Sequence, residues 1–207
     1  GVMTWWDYGY WVTRIAHRIP NANPAQDPDA ITSVATFFTS QDKEEAKAII
    51  KDLKTAYIII DNESITSKYW AITTWAGLDP TEYMDIYGIP QGDQLMPVTL
   101  YTPKYYRSMA SRLYNFDGKA ATAEKPLVVS YRENVGPTGD NYKELIFAQE
   151  FESYQEAKDF ISSQESGDYK IMGTNPLISP IPLEGLENYK LVYSSSSLIR
   201  FTETTSV

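Results

Sequence analysis

Apolar residues recur at helical spacing through the first half of the chain, while short apolar runs bounded by turn residues fill the second. Trp11, Ile15 and Ile19 stand four apart and predict a helix over residues 5–19, stopped by Pro20. Residues 21–28, rich in Pro and Asn, form a loop. Ile31, Val34, Ala35 and Phe38 then mark a short amphipathic segment. Thr39 or Ser40 is the expected cap of the next helix, Asp42 to Lys54, with Ala46, Ile49, Ile50 and Leu53 as its stripe. Ala56 to Ile60 reads as a buried strand, because a bounded, β-branched apolar run favours strand. Asp61 to Ser64 turns the chain into a helix from about Ile65 to Ala76, ended by Gly77. Asp79-Pro80-Thr81-Glu82 opens a short helix with an acidic cap and Pro at its first position, and Thr102-Pro103 starts one reaching about Tyr114.

Past Phe116-Asp117-Gly118 the character changes. Leu127 to Tyr131, Tyr142 to Phe151, Lys170 to Met172, Leu191 to Tyr193 and Leu198 to Thr202 read as strands. One helix, Tyr154 to Ser163, interrupts them behind the capping box Ser153-x-x-Glu156. The expected fold is α/β mixed (α+β): a helix-rich half, residues 1–118, around a short sheet, a β-rich half, residues 119–207, and one compact domain. At 207 residues the chain is long enough to bury a real core, and its 43% hydrophobic and 22% charged residues are globular values.

Charge narrows the partners. The net charge is −9 and no Lys/Arg cluster stands out, which argues against nucleic acid and against an anionic lipid surface. Cys is absent, removing disulfides, thiol nucleophiles and thiolate metal sites together. No apolar run approaches the roughly 20 residues that span a bilayer. The 16 Tyr and 5 Trp suit peptide or sugar contacts, although Tyr also fills half-wet cores. His17, the sole histidine, has no nucleophile elbow nearby and reads as structural. No Zn or EF-hand spacing occurs, and 27 acidic residues supply candidate glycosidase pairs without any specificity.

The densest chemistry is Trp5-Trp6-Asp7-Tyr8-Gly9. An indole donates and cannot accept, and an ionised Asp only accepts. Two donors beside one acceptor complement a single hydroxyl, which has one proton to give and two lone pairs to fill. The plainer alternative makes Trp5 and Trp6 core aromatics and Asp7 a helix cap. Further along, Lys68 and Ile72 stand four apart and share one face of the expected helix.

Trp-Trp-Asp-Tyr-Gly, continuing as Tyr10-Trp11, resembles the signature of the catalytic subunit of oligosaccharyltransferase, the membrane enzyme of N-glycosylation. Ser108 to Tyr114 leading into Phe116-Asp117-Gly118, and Tyr189 to Ser194 followed by Leu198 to Phe201, are similar to archaeal members of the short AglB type. Lys68 and Ile72 match a second family motif, Asp-x-x-Lys-x-x-x-Met/Ile, with Ile65 where the Asp is expected. The resemblance implies a C-terminal domain on the extracytoplasmic face, attached to a multi-pass membrane part that this chain lacks. The whole enzyme would transfer a lipid-linked oligosaccharide to the Asn of an acceptor polypeptide carrying Asn-X-Ser/Thr. Trp5, Trp6 and Asp7 would bind the Ser/Thr hydroxyl, with Tyr8 and Gly9 as motif support. Lys68 and Ile72 would floor the pocket, where burying a Thr methyl is worth roughly 0.8 kcal/mol. Without an Asp at position 65, Lys68 is left to meet Asp61, Glu63 or Asp7.

The resemblance also implies that no catalytic residue and no cofactor belong to this chain. The divalent metal, Mn or Mg, and the lipid-linked oligosaccharide would be held by the membrane part. The chain by itself is expected to be a monomer and inactive. Two alternatives from other classes are an extracytoplasmic carbohydrate-binding module and a freestanding glycosidase. Asn62-Glu63-Ser64 is itself an acceptor triplet, to which the sequence assigns no role.

Overall fold

A two-stranded ribbon ties the amino end to residues more than fifty positions away. β1 (Val2–Met3) runs parallel to β2 (Tyr57–Ile58), pairing Val2 with Tyr57 and Met3 with Ile58. The computed structural model describes residues 1–195 apart from 26, 93, 137, 138 and 166. Tyr57 and Ile59 are exposed, so the run Ala56 to Ile60 is a short edge ribbon rather than the buried strand its composition predicts.

A 3₁₀ turn at Trp6–Tyr8 leads into α1 (Gly9–Arg14). This helix is shorter than the expected span to residue 19, and Trp11, Ile15 and Ile19 face solvent instead of the core. Its continuation is broken where His17 turns to a positive φ of 52°. Backbone pairing then takes over, with the Val2 amide donating to the Ile19 carbonyl and the Asn21 amide to the Val2 carbonyl.

The next two helices follow their patterns. α2 (Pro28–Thr39) has Pro28 at its first position and Asp27 accepting from the Asp29 and Ala30 amides, and it buries Ile31, Val34, Ala35 and Phe38. α3 (Lys43–Asp52) is capped by Asp42 itself, not by Thr39 or Ser40, and Ser40 ends α2. The helix expected from Ile65 is two pieces, α4 (Asn62–Ile65) and α5 (Tyr69–Trp75). Asp61 caps the first by accepting from the Ser64 amide, and Thr66 (φ −123°, ψ −96°) breaks the run. Gly77 ends α5 with φ +73°, a conformation glycine adopts without strain.

After a 3₁₀ turn at Pro80–Glu82, a hairpin appears that the sequence pattern hides. β3 (Met84–Gln91) and β4 (Gln94–Tyr101) pair antiparallel along their whole length, around a turn where Gly92 has φ +59°. The helix expected from Thr102 is divided into α6 (Pro103–Arg107) and α7 (Met109–Phe116) at Ser108, which takes an extended conformation and caps α7. β5 (Leu127–Val135), β6 (Asn141–Glu150), α8 (Tyr154–Ser163) and β7 (Lys170–Met172) fall where strands and a capped helix were expected.

The five longer strands form one mixed sheet in the order β4-β3-β6-β5-β7, with β3–β6 its parallel pair. The architecture is α+β, with the sheet drawing strands from both halves of the chain. Leu191 to Tyr193 is exposed and not a strand, and Leu198 to Thr202 lies outside the described residues.

Tyrosines build the larger core. Tyr69, Tyr105 and Tyr106 are fully buried among Met3, Trp5, Phe37, Phe38 and Ile72. Two of these three buried phenols reach a backbone carbonyl. Tyr105 donates to the Ile65 carbonyl (2.8 Å) and Tyr106 to the Asn175 carbonyl (2.7 Å). Part of the tyrosine excess is therefore packing material rather than a contact surface.

Candidate functional site

The ribbon decides which side chains can meet. By anchoring residues 2–3 to residues 57–58, it sets the 3₁₀ turn at Trp6–Tyr8 beside α4 and the start of α5. Gly9 fits this turn because its neighbours leave no room for a side chain. A Cβ there would collide with the Ala22 carbonyl and the Asn23 backbone.

Lys68 lies at the centre. Its ammonium contacts Asp7 Oδ2 (2.7 Å), Glu63 Oε2 (2.8 Å) and the Tyr8 hydroxyl oxygen (2.7 Å), and it sits 4.1 Å from the centre of the Tyr8 ring. An ammonium has three protons to donate, and three acceptors take them. Tyr8 in turn donates to Asp61 Oδ2 and approaches Glu63 Oε2 at 3.2 Å. Asp61 is held from its other side by the Ser64 amide (2.8 Å) and hydroxyl (2.6 Å). The missing Asp at position 65 is thus replaced by two carboxylates from elsewhere, Asp7 and Glu63. Ile65 is fully buried in the core.

Protonation follows from these contacts. Burial disfavours the Lys68 cation, but the hydrogen bonds to Asp7, Glu63 and Tyr8 outweigh it and hold the amine protonated well above the ordinary lysine range. Burial pushes the Tyr8 phenol up to about 12, helped by Asp61 and opposed by Lys68. Burial also resists ionisation of Asp61, yet the hydrogen bonds from Ser64 and Tyr8 keep its carboxyl below the usual range. Hydrogen bonding to Lys68 lowers Glu63. The cluster is a fixed array of charges near neutral pH, with Tyr8 a neutral donor.

Two groups in this array are left over. Asp7 Oδ1 and Trp6 Nε1 are both buried without a hydrogen-bond partner. Each such orphan costs about 1–3 kcal/mol. One is an acceptor and the other a donor, on adjacent residues. Among the described residues with orphaned buried side-chain atoms, these are the only sequence neighbours.

The other expected site residues are placed differently. Trp5 is buried in the larger core, its ring 6.2 Å from that of Trp6. Ile72 is also fully buried in that core. Lys68 spends its donors on Asp7, Glu63 and Tyr8. Asp61 enters through Tyr8, a link that no spacing rule could supply. Asn62-Glu63-Ser64 is folded into the start of α4, with the Ser64 hydroxyl buried and given to Asp61. No set of three His, Cys, Asp or Glu side chains among the described residues could hold a metal ion, and Asp7 and Glu63 already converge on an ammonium.

Similarity over part of its length places this chain beside proteins of archaeal N-glycosylation. Residues 1–66 match the model of the AglB core domain. The chain is similar to the dolichyl-monophosphooligosaccharide–protein glycotransferase AglB of Haloferax volcanii, at 28% identity over 95% of this chain and 20% of that protein. It is also similar to dolichyl-phosphooligosaccharide-protein glycotransferase 3 of Archaeoglobus fulgidus, at 30% identity over 57% of this chain and 16% of that protein. A crystal structure of an oligosaccharyltransferase from Archaeoglobus fulgidus in the apo form has 26% identity and a TM-score of 0.49 over 67% of this chain and 18% of that one. The chain thus spans about a fifth of the length of these curated relatives. No helix among the described residues is long and apolar enough to cross a membrane.

Proposed function

We propose that this chain is the acceptor-recognition part of an extracytoplasmic, membrane-attached oligosaccharyltransferase, gripping the Ser or Thr hydroxyl of Asn-X-Ser/Thr. The observation that carries the reading is the orphaned pair, Trp6 Nε1 and Asp7 Oδ1. A hydroxyl entering between them would donate to Asp7 and accept from Trp6, removing both penalties at once. Lys68 engages Asp7 Oδ2 and leaves Oδ1 without a partner, while Tyr8 and Glu63 hold Lys68 and Asp61 holds Tyr8. An acceptor lacking the hydroxyl would leave both groups unpaired, the arrangement that gives hydroxyl-reading sites their selectivity. The sugar transfer, the lipid carrier and the divalent metal belong, in this reading, to the rest of the enzyme. The chain alone binds acceptor peptide weakly and transfers nothing.

The test is Asp7→Ala in the full-length enzyme. Transfer to an Asn-X-Thr peptide should fall at least about a hundredfold, equivalent to about 3 kcal/mol of lost recognition. The variant should keep the urea midpoint of the parent. Near-normal transfer by a folded Asp7→Ala enzyme defeats the proposal.

A further inference from the structure

We propose that the segment from α1 to Ile19 is a docking surface for an anionic bilayer. It presents a large run of apolar side chains to solvent: Tyr10 is 55% exposed, Trp11 65%, Ile15 73% and Ile19 79%. Four such residues within ten positions are costly to leave in water, and they mark a contact surface.

Charge selects the occupant. The chain carries 27 acidic against 18 basic residues, yet residues 8–26 contain no Asp or Glu at all. They do contain Arg14, His17 and Arg18, interleaved with the exposed apolar positions. Each of these three side chains is exposed, and none has a side-chain hydrogen bond or ion pair among the described residues. Tyr10, Thr13, Arg14 and His17 line one shallow groove. An isolated basic strip on an acidic protein, with Trp, Tyr and Ile beside unpaired Arg, has the composition of interfacial segments. Their rings and aliphatic chains enter the headgroup boundary while their cations meet lipid phosphates. Whole-chain charge hides this feature, because the net charge of −9 is set by acidic residues that lie elsewhere. The inference rests on exposure and charge and does not depend on the reading of the acceptor site. Since α1 starts at Gly9, directly after Asp7 and Tyr8, docking would also hold that site against the membrane surface.

The chain should float with phosphatidylcholine vesicles that contain phosphatidylglycerol, float little with phosphatidylcholine alone, and be released by salt. Arg14→Gln with Arg18→Gln should weaken partitioning about 25-fold, from about fivefold per arginine. Ile15→Ser with Ile19→Ser should weaken it comparably, with unchanged circular dichroism because both residues are exposed. Brominated acyl chains should quench parental fluorescence more than that of Trp11→Phe. Equal flotation on both lipids, or full binding by either folded double variant, overturns the proposal. So does a chain that ignores vesicles but self-associates through Ile15 and Ile19, which would make the strip a protein interface.

Discussion

Two lysines in this molecule make nearly the same first contact, and only one of them lies in a candidate site. Lys68 meets Asp7 at 2.7 Å, and Lys143 on β6 meets Asp85 on β3 at 2.6 Å. Both lie near tyrosine rings, Tyr8 in one case and Tyr87 and Tyr131 in the other. Both amines are held protonated by a carboxylate bond that outweighs burial. The difference is in what remains. Around Lys143 every buried side-chain polar atom among the described residues has a partner, whereas beside Lys68 an acceptor and a donor do not. A satisfied ion pair fastens two strands. In the proposed reading, an ion pair that orients a carboxylate and leaves its second oxygen unpartnered prepares for a ligand. A pKa shift alone does not separate the two cases; the hydrogen-bond account does.

Removing each ammonium tests the distinction. Lys68→Met in the full-length enzyme should lower transfer to an Asn-X-Thr peptide about a hundredfold, since Asp7 loses its brace and three carboxylates lose their counter-ion. Initial-rate measurements check this, and an unchanged rate would make the lysine ornamental. Lys143→Met should leave transfer intact and lower the stability of the chain by about 1–2 kcal/mol, as measured by urea unfolding. A transfer defect there would erase the contrast. Ile72→Val, deep in the core, should cost about 1 kcal/mol of stability while leaving the preference for Thr over Ser unchanged, as competition between the two peptides would report.

The smallest effect concerns acid. Because the folded-state pKa of Asp61 is depressed, its contribution is complete above the unfolded carboxylate value, near about 4, and is lost as pH falls through the lower folded value. Asp61→Asn should therefore flatten the acid limb of a stability–pH curve and leave its neutral plateau nearly level.

The sequence shows some of these features and conceals others for physical reasons. α2 is legible from its apolar stripe and α8 from its capping box. The β3–β4 hairpin is obscured by Gly88, Pro90 and Pro97, which argue against strand at those positions. They are tolerated because β4 is an edge strand and β3 meets β6 only at Tyr87 and Gly88. Within the site, Trp6 and Asp7 are readable as a donor and an acceptor. The sequence leaves Asp7, Asp61 and Glu63 as equal candidates for Lys68, because the parallel pairing of β1 with β2 that selects among them joins segments too short and too distant to show a pattern. The apolar spacing of Trp11, Ile15 and Ile19 is real, but periodicity does not say whether a stripe faces a core or an outside partner.

That two-residue ribbon also sets a schedule. Asp7 leaves the ribosome sixty-one residues ahead of Lys68, and until β2 arrives to capture β1 the carboxylate has no ammonium to brace it. Long loops close late and at an entropic cost, so recognition should mature together with the finished fold. On the proposed function, an incomplete chain would be mute, without the power to grip the wrong polypeptide.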